Sequence, residues 1–99
     1  MNKEEKGLIK EFRKAHIPGI FKLDNTDCIL FLEDVDFDVC KWLLKGTALS
    51  KETIDSVLNE YERLLSFYPL NKQDDKELND YLLLLDKVMQ IFKKRYTLD

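Results

Sequence analysis

The chain has 99 residues, of which 44% are hydrophobic and 35% charged, and a formal net charge of −3 at pH 7. A chain of about 100 residues buries one hydrophobic core but not two, so a single compact domain over residues 1–99 is predicted. Its apolar content is too high for a disordered chain. No run approaches the roughly 18 apolar residues that a membrane-spanning helix needs, and the N-terminus shows no secretion signal. We therefore expect a cytoplasmic protein with no membrane partner.

Acidic residues are concentrated in one segment. Residues 24–38 hold six carboxylates and no basic residue, whereas residues 1–23 are net basic. A protein that binds a phosphate backbone is expected to present a basic face, so the sequence predicts no nucleic-acid partner. The segment is instead suited to a basic protein partner. Its carboxylates belong to Asp24, Asp27, Glu33, Asp34, Asp36 and Asp38.

The first predicted element is a short amphipathic helix over Lys3 to Ala15. Its apolar residues recur at intervals of three and four, the period of one helix face. Pro18 and Gly19 end it, because the residue before a proline is disfavoured in the helical region.

Residues 19–32 are open to two interpretations. Two runs rich in strand-forming residues, 19–23 and 28–32, flank the turn-forming residues 24–27, and this order favours a β-hairpin. The alternative is a helix that begins near Asp27, with this residue as its N-cap.

The next stretch, 33–46, changes its period along the way. Apolar residues first alternate with aspartates, as in a strand, and then follow helical spacing. We predict a strand end or turn through 34–36, followed by a helix to Lys45. Gly46 is expected to close that helix in the left-handed conformation.

Two longer helices follow. Ser50 is the expected N-cap of the first, and Pro69 ends it. The second begins at a pattern resembling a capping box over Asp74–Glu77 and runs to about Tyr96. The two should pack as an antiparallel pair. The predicted fold class is mainly α, with α+β as the alternative: a small bundle of about four helices with a short β-hairpin near residues 19–32.

Motifs for metal binding and catalysis are incomplete. Asp34, Asp36 and Asp38 repeat the first three ligand positions of a calcium-binding loop, but Val39 and Lys45 replace its glycine and its bidentate glutamate. The single histidine, His16, and the two cysteines, Cys28 and Cys40, lack the spacing of a zinc site or a disulfide motif. The sequence therefore predicts that the chain is not an enzyme and that it has no catalytic, metal-binding or cofactor-binding residues.

The function expected from these patterns is non-catalytic binding to another protein, as a regulator, inhibitor or toxin-neutralising partner. The alternatives are a ligand-binding domain or enzyme with an unrecognised pocket, and a helical homodimer built on a surplus apolar stripe of the last helix. Trp42 is a second feature of interest, because tryptophan anchors many interfaces, although the edge of the core is its commoner place. The predicted partner-binding residues are Asp24, Asp27, Glu33, Asp34, Asp36, Asp38 and Trp42.

Overall fold

The computed structural model describes residues 1–15 and 23–97, and within these ranges the chain is helical and contains no strand. The mainly α fold is confirmed. The elements in chain order are α1 (Lys3–Lys14), α2 (Thr26–Asp34), a π-helical turn (Val35–Val39), α3 (Cys40–Lys45), α4 (Lys51–Phe67) and α5 (Lys76–Tyr96).

The predicted β-hairpin is wrong in its second half, and residues 19–22 of its first half lie outside the described residues. Residues 28–32 belong to α2, where the side chain of Asn25 caps the helix by accepting the Cys28 N–H at 3.1 Å. A short continuous apolar run fits a buried strand and a buried helix equally well, so periodicity alone could not decide. The alternative prediction of a helix is correct for these residues, but its N-cap is Asn25 and not Asp27.

The elements α2, π turn and α3 follow one another without a break and form one rod, called here the α2–α3 rod (residues 26–45). The residues at both joints keep right-handed helical backbone angles. The strand end or turn predicted through 34–36 is therefore wrong. In the π turn the Cys40 N–H donates to the Val35 carbonyl, five residues back instead of four.

The π turn keeps the buried residues of the rod on one side. In a regular α-helix, each residue turns by about 100°, so Cys40 would lie about 140° around the axis from Val35. A π turn absorbs one extra residue and reduces that angle to roughly 40°. Both residues are fully buried. The apolar pattern before Val35 and the pattern after Val39 can therefore face the same core.

The observed helix ends lie at or next to the positions predicted from local sequence signals. Gly46 adopts the left-handed conformation (φ 66°) and its N–H donates to the Trp42 carbonyl, as predicted for a helix end. Ser50 caps α4 by accepting the Thr53 N–H at 3.2 Å. The cap of α5 is Asp75, one residue after the predicted start of the capping box.

Helices α1 and α5 run antiparallel along one side of the molecule. The N-terminal part of α1 meets the C-terminal part of α5 through an ion pair between Glu5 and Lys94 at 3.5 Å. At the other end, the rings of Phe12 and Tyr81 stack with centroids 5.1 Å apart.

Helix α4 packs antiparallel to both the rod and α5. Arg63 pairs with Asp27 near the start of the rod at 2.9 Å. The Tyr61 hydroxyl donates to Asp86 in the middle of α5. The hydroxyl of Tyr96, at the end of α5, donates to the Thr47 carbonyl just before α4 begins, at 2.6 Å. The predicted α4–α5 pair is therefore antiparallel.

The core lies between these helices, and α5 contributes most to it. At about 1.5 Å per residue, α5 is roughly 31 Å long, close to the longest dimension of the molecule, 36 Å. None of the described helices combines the length and apolar character needed to cross a membrane. The buried residues of α5 are Leu78, Tyr81, Leu82, Leu85, Val88, Met89, Ile91 and Phe92.

The π turn can be tested by deleting one residue. Deletion of Phe37, which is 68% exposed, should convert the π turn to a regular α-helical turn and leave the core in register. We expect the free energy of unfolding to change by no more than about 1 kcal/mol, as for a surface substitution. Urea denaturation followed by circular dichroism measures it.

Deletion of the exposed Asn59, within the regular helix α4, is the matched control. It rotates Tyr61 and Leu64 by about 100° relative to Val57 and should cost at least about 4 kcal/mol, because several buried side chains leave the core. Equal destabilisation by both deletions would show that the π turn does not absorb an extra residue.

Candidate functional site

A groove runs between the α2–α3 rod and α4, and its walls are mostly acidic. Its floor is apolar and consists of the buried side chains of Phe31, Val39 and Val57. The charged residues along the walls are five carboxylates and one base, and they define what we call the acidic groove: Asp27, Asp34, Asp38, Glu52, Glu60 and Arg63.

Helical geometry explains how the carboxylates come together. Asp27 and Asp34 are seven residues apart in the rod, and Asp34 and Asp38 are four apart across the π turn. In either helical form residues at these intervals lie within roughly 40° of one another, so all three share one flank. On α4, Glu52 and Glu60 are eight residues apart and likewise share a flank. Because α4 packs antiparallel to the rod, these two flanks face the same groove.

The groove has an excess of negative charge. Arg63 is the one basic residue that lines it among the described residues, and its guanidinium is already paired with Asp27. Both side chains of this pair are more than half exposed, so the pair contributes little to stability, at most about 1 kcal/mol. The other four carboxylates form no ion pair within 4 Å in the described part of the chain. They belong to Asp34, Asp38, Glu52 and Glu60.

Three large apolar side chains are exposed on the rod and α4, and one of them lines the groove. Leu30 is 52% exposed and lines the groove next to Asp34. Phe37 is 68% exposed on the outer face of the π turn, and Phe67 is 53% exposed one helical turn beyond Arg63. Isolated exposed apolar residues are ordinary, but one that lines a charged groove, as Leu30 does, is typical of an interaction surface.

The predicted partner-binding residues divide between the groove and other surfaces. Asp27, Asp34, Asp38 and Trp42 line the groove. Asp36 does not, because two residues turn a helix by roughly half a revolution, which places it on the opposite flank of the rod from Asp34 and Asp38. There its charge adds to burial, the larger cause, in raising the pKa values of Tyr81 and Cys40.

The remaining two acidic residues also lie outside the groove. Asp24 precedes α2 and accepts a hydrogen bond from the Tyr68 hydroxyl at 3.0 Å. The pKa of Tyr68 is raised, first by burial and then by this hydrogen bond. Glu33 is exposed and is not among the residues lining the groove.

Trp42 is half-buried at the edge of the core, the commoner of the two places considered for it, and it also borders the groove. Sequence reasoning missed Leu30, Glu52 and Glu60. The spacing of Glu52, Ser56 and Glu60 at intervals of four residues was visible in the sequence as one helix flank. Nothing in the sequence said that this flank faces the rod.

The cysteines are free and buried. Burial, with a smaller contribution from Asp36, raises the pKa of Cys40 to about 12. Burial also raises the pKa of Cys28, which lies at the base of the acidic groove. Since the reactive form of cysteine is the thiolate, neither thiol is activated as a nucleophile.

The described residues contain no group of three or more His, Cys, Asp or Glu side chains placed to hold a metal ion. His16 lies outside the described residues. Asp34 and Asp36, which suggested a calcium loop, lie in a helical rod on different flanks.

The additional apolar stripe of α5, considered above as a dimer interface, packs largely against the core of its own chain. Val88 and Ile91 are buried, and Leu84 is half-buried against the core. The homodimer built on this stripe remains a prediction.

Comparison with known proteins finds no matching family model, curated protein or solved structure. A functional proposal for this chain therefore rests on the geometry and charge of its surface.

Burial of the cysteines predicts slow thiol modification. In the native protein at pH 7–9, iodoacetamide should modify Cys28 and Cys40 at least about a hundredfold more slowly than in urea, because both must first be exposed by local opening. Raising the pH past about 8.5, the pKa of an ordinary thiol, should not ionise Cys40 in the folded state. Mass spectrometry of the quenched reaction measures both rates. Native-state modification at the rate of an unfolded thiol would contradict this.

Proposed function

We propose that this chain is a non-catalytic protein that binds a basic protein partner through the acidic groove. The observation that carries the proposal is the composition of the groove: five carboxylates and one base surround an apolar floor, and the exposed side chain of Leu30 lines it as well. The role that suits such a surface is that of a small regulator, inhibitor or toxin-neutralising partner.

Charge and apolar burial contribute differently to the proposed binding. A concentrated negative surface attracts a basic partner over a distance and raises the rate of association. Burial of apolar side chains at the centre of the contact supplies much of the affinity. The acidic groove combines the two features, because its carboxylates surround an apolar floor and the exposed Leu30 lines it.

The chemistry of the groove supports binding rather than reaction. Its polar groups are mostly carboxylates on exposed helix flanks, and the thiol beside them, Cys28, is held protonated by burial. Two free, buried cysteines also suit a reducing compartment. We therefore place the proposed activity in the cytoplasm.

Charge reversal tests the proposal. The double variant Asp34→Lys/Asp38→Lys changes two exposed groove residues, so the fold should be kept while association with the partner slows at least about tenfold. The tagged chain is used as bait in extract of its native host at low salt, and quantitative mass spectrometry identifies proteins captured saturably. Association of the purified partner is then measured by stopped flow.

The matched control is Asp55→Lys/Glu62→Lys, which makes the same change in net charge on a part of α4 that does not line the groove. It should retain capture and most of the association rate. If no protein is captured saturably, or if both double variants reduce capture equally, the proposed docking role is wrong.

A further inference from the structure

We infer that the occupant of the acidic groove is a basic amphipathic helix of another protein, about four turns long. This inference rests on the proposed function and specifies the partner. It is drawn from the length of the groove, the nature of its walls and the position of the exposed apolar residues.

The length of the groove fits a helix of ordinary size. On the rod side the lining residues run from Asp27 to Trp42. At about 1.5 Å per residue, this wall is roughly 22 Å long, which corresponds to about four turns of a partner helix. On the opposite wall the lining residues run from Glu52 to Arg63, so both walls extend over several turns.

The walls favour recognition through side chains. Both are helices, whose interior backbone N–H and C=O groups are bonded within the helix. An extended peptide that adds a strand needs a free sheet edge, and the described residues contain no strand. Among the common modes of peptide recognition, an amphipathic helix laid along a groove fits a groove between two helices with an apolar floor.

Charge on both walls specifies the partner's polar faces. Asp34 and Asp38 lie on one wall and Glu52 and Glu60 on the other, with the apolar floor between them. A helix in the groove would therefore place apolar residues against the floor and lysine or arginine on both flanks. This is the composition of a basic amphipathic helix.

Two exposed apolar residues of the rod are available for contact with such a helix. Leu30 lines the groove itself. Phe37 is 68% exposed and directly precedes the groove residue Asp38 in the chain. Aromatic and large aliphatic residues that become buried on binding commonly contribute most of the affinity. Leu30 and Phe37 are therefore the expected apolar anchors.

A designed peptide is the probe. It has about 16 residues, with leucines at helical spacing and lysines on both flanks, and it is capped at both ends. A control peptide of the same composition carries D-residues at two central positions, which break the helix while keeping charge and apolar content. Fluorescence anisotropy gives the dissociation constants, and amide chemical shifts of the full chain locate the contact.

The helical peptide should bind at least about tenfold more tightly than its control, with shift changes concentrated at the acidic groove. Its helical circular dichroism should increase on binding. Leu30→Ser and Phe37→Ser should each weaken binding by about tenfold while the chain stays folded by circular dichroism, and Phe37→Leu should retain most of the affinity.

The outcomes separate the two proposals. Equal binding of both peptides at the groove would overturn the helical occupant and leave the docking role standing. Shift changes spread over other surfaces, with binding unaffected by Asp34→Lys/Asp38→Lys, would overturn both.

Discussion

One backbone hydrogen bond, from the Cys40 N–H to the Val35 carbonyl, determines how the surface of this protein is arranged. By spanning five residues instead of four, it absorbs the extra residue that separates two stretches of apolar sequence. The side chains of both residues are fully buried as a result. Without this turn, the second half of the α2–α3 rod would rotate out of the core by about 100°.

The residues of the acidic segment in and beside this turn point in different directions. Asp34 and Asp38 lie on the flank that faces α4, Asp36 lies on the opposite flank, and Phe37 points outward. Turns of this type are frequent at functional sites. Here the turn lies in the middle of the acidic groove, so the feature that completes the core also forms the surface proposed for partner binding.

The sequence predicted the parts of the fold that depend on local signals. Helices α1, α4 and α5 follow clear apolar periods. Gly46 ends α3 and Ser50 caps α4, as local sequence signals predicted. Residues 26–39 could not be predicted in the same way, because a continuous apolar run followed by strict alternation looks like strand. For the site, the sequence predicted part of the acidic wall formed by the rod. The place of Glu52 and Glu60 in the groove depends on how α4 packs against the rod, and no local sequence pattern encodes that packing.

The arrangement of the π turn is tested most directly by solution NMR of the isotope-labelled chain. We expect an Overhauser contact between the Val35 α-proton and the Cys40 amide proton, five residues apart. A soluble paramagnetic agent should broaden the Phe37 ring signals and leave the side chains of Val35 and Cys40 unaffected. A regular α-helical contact pattern through these residues, with Cys40 broadened and Phe37 protected, would contradict the account.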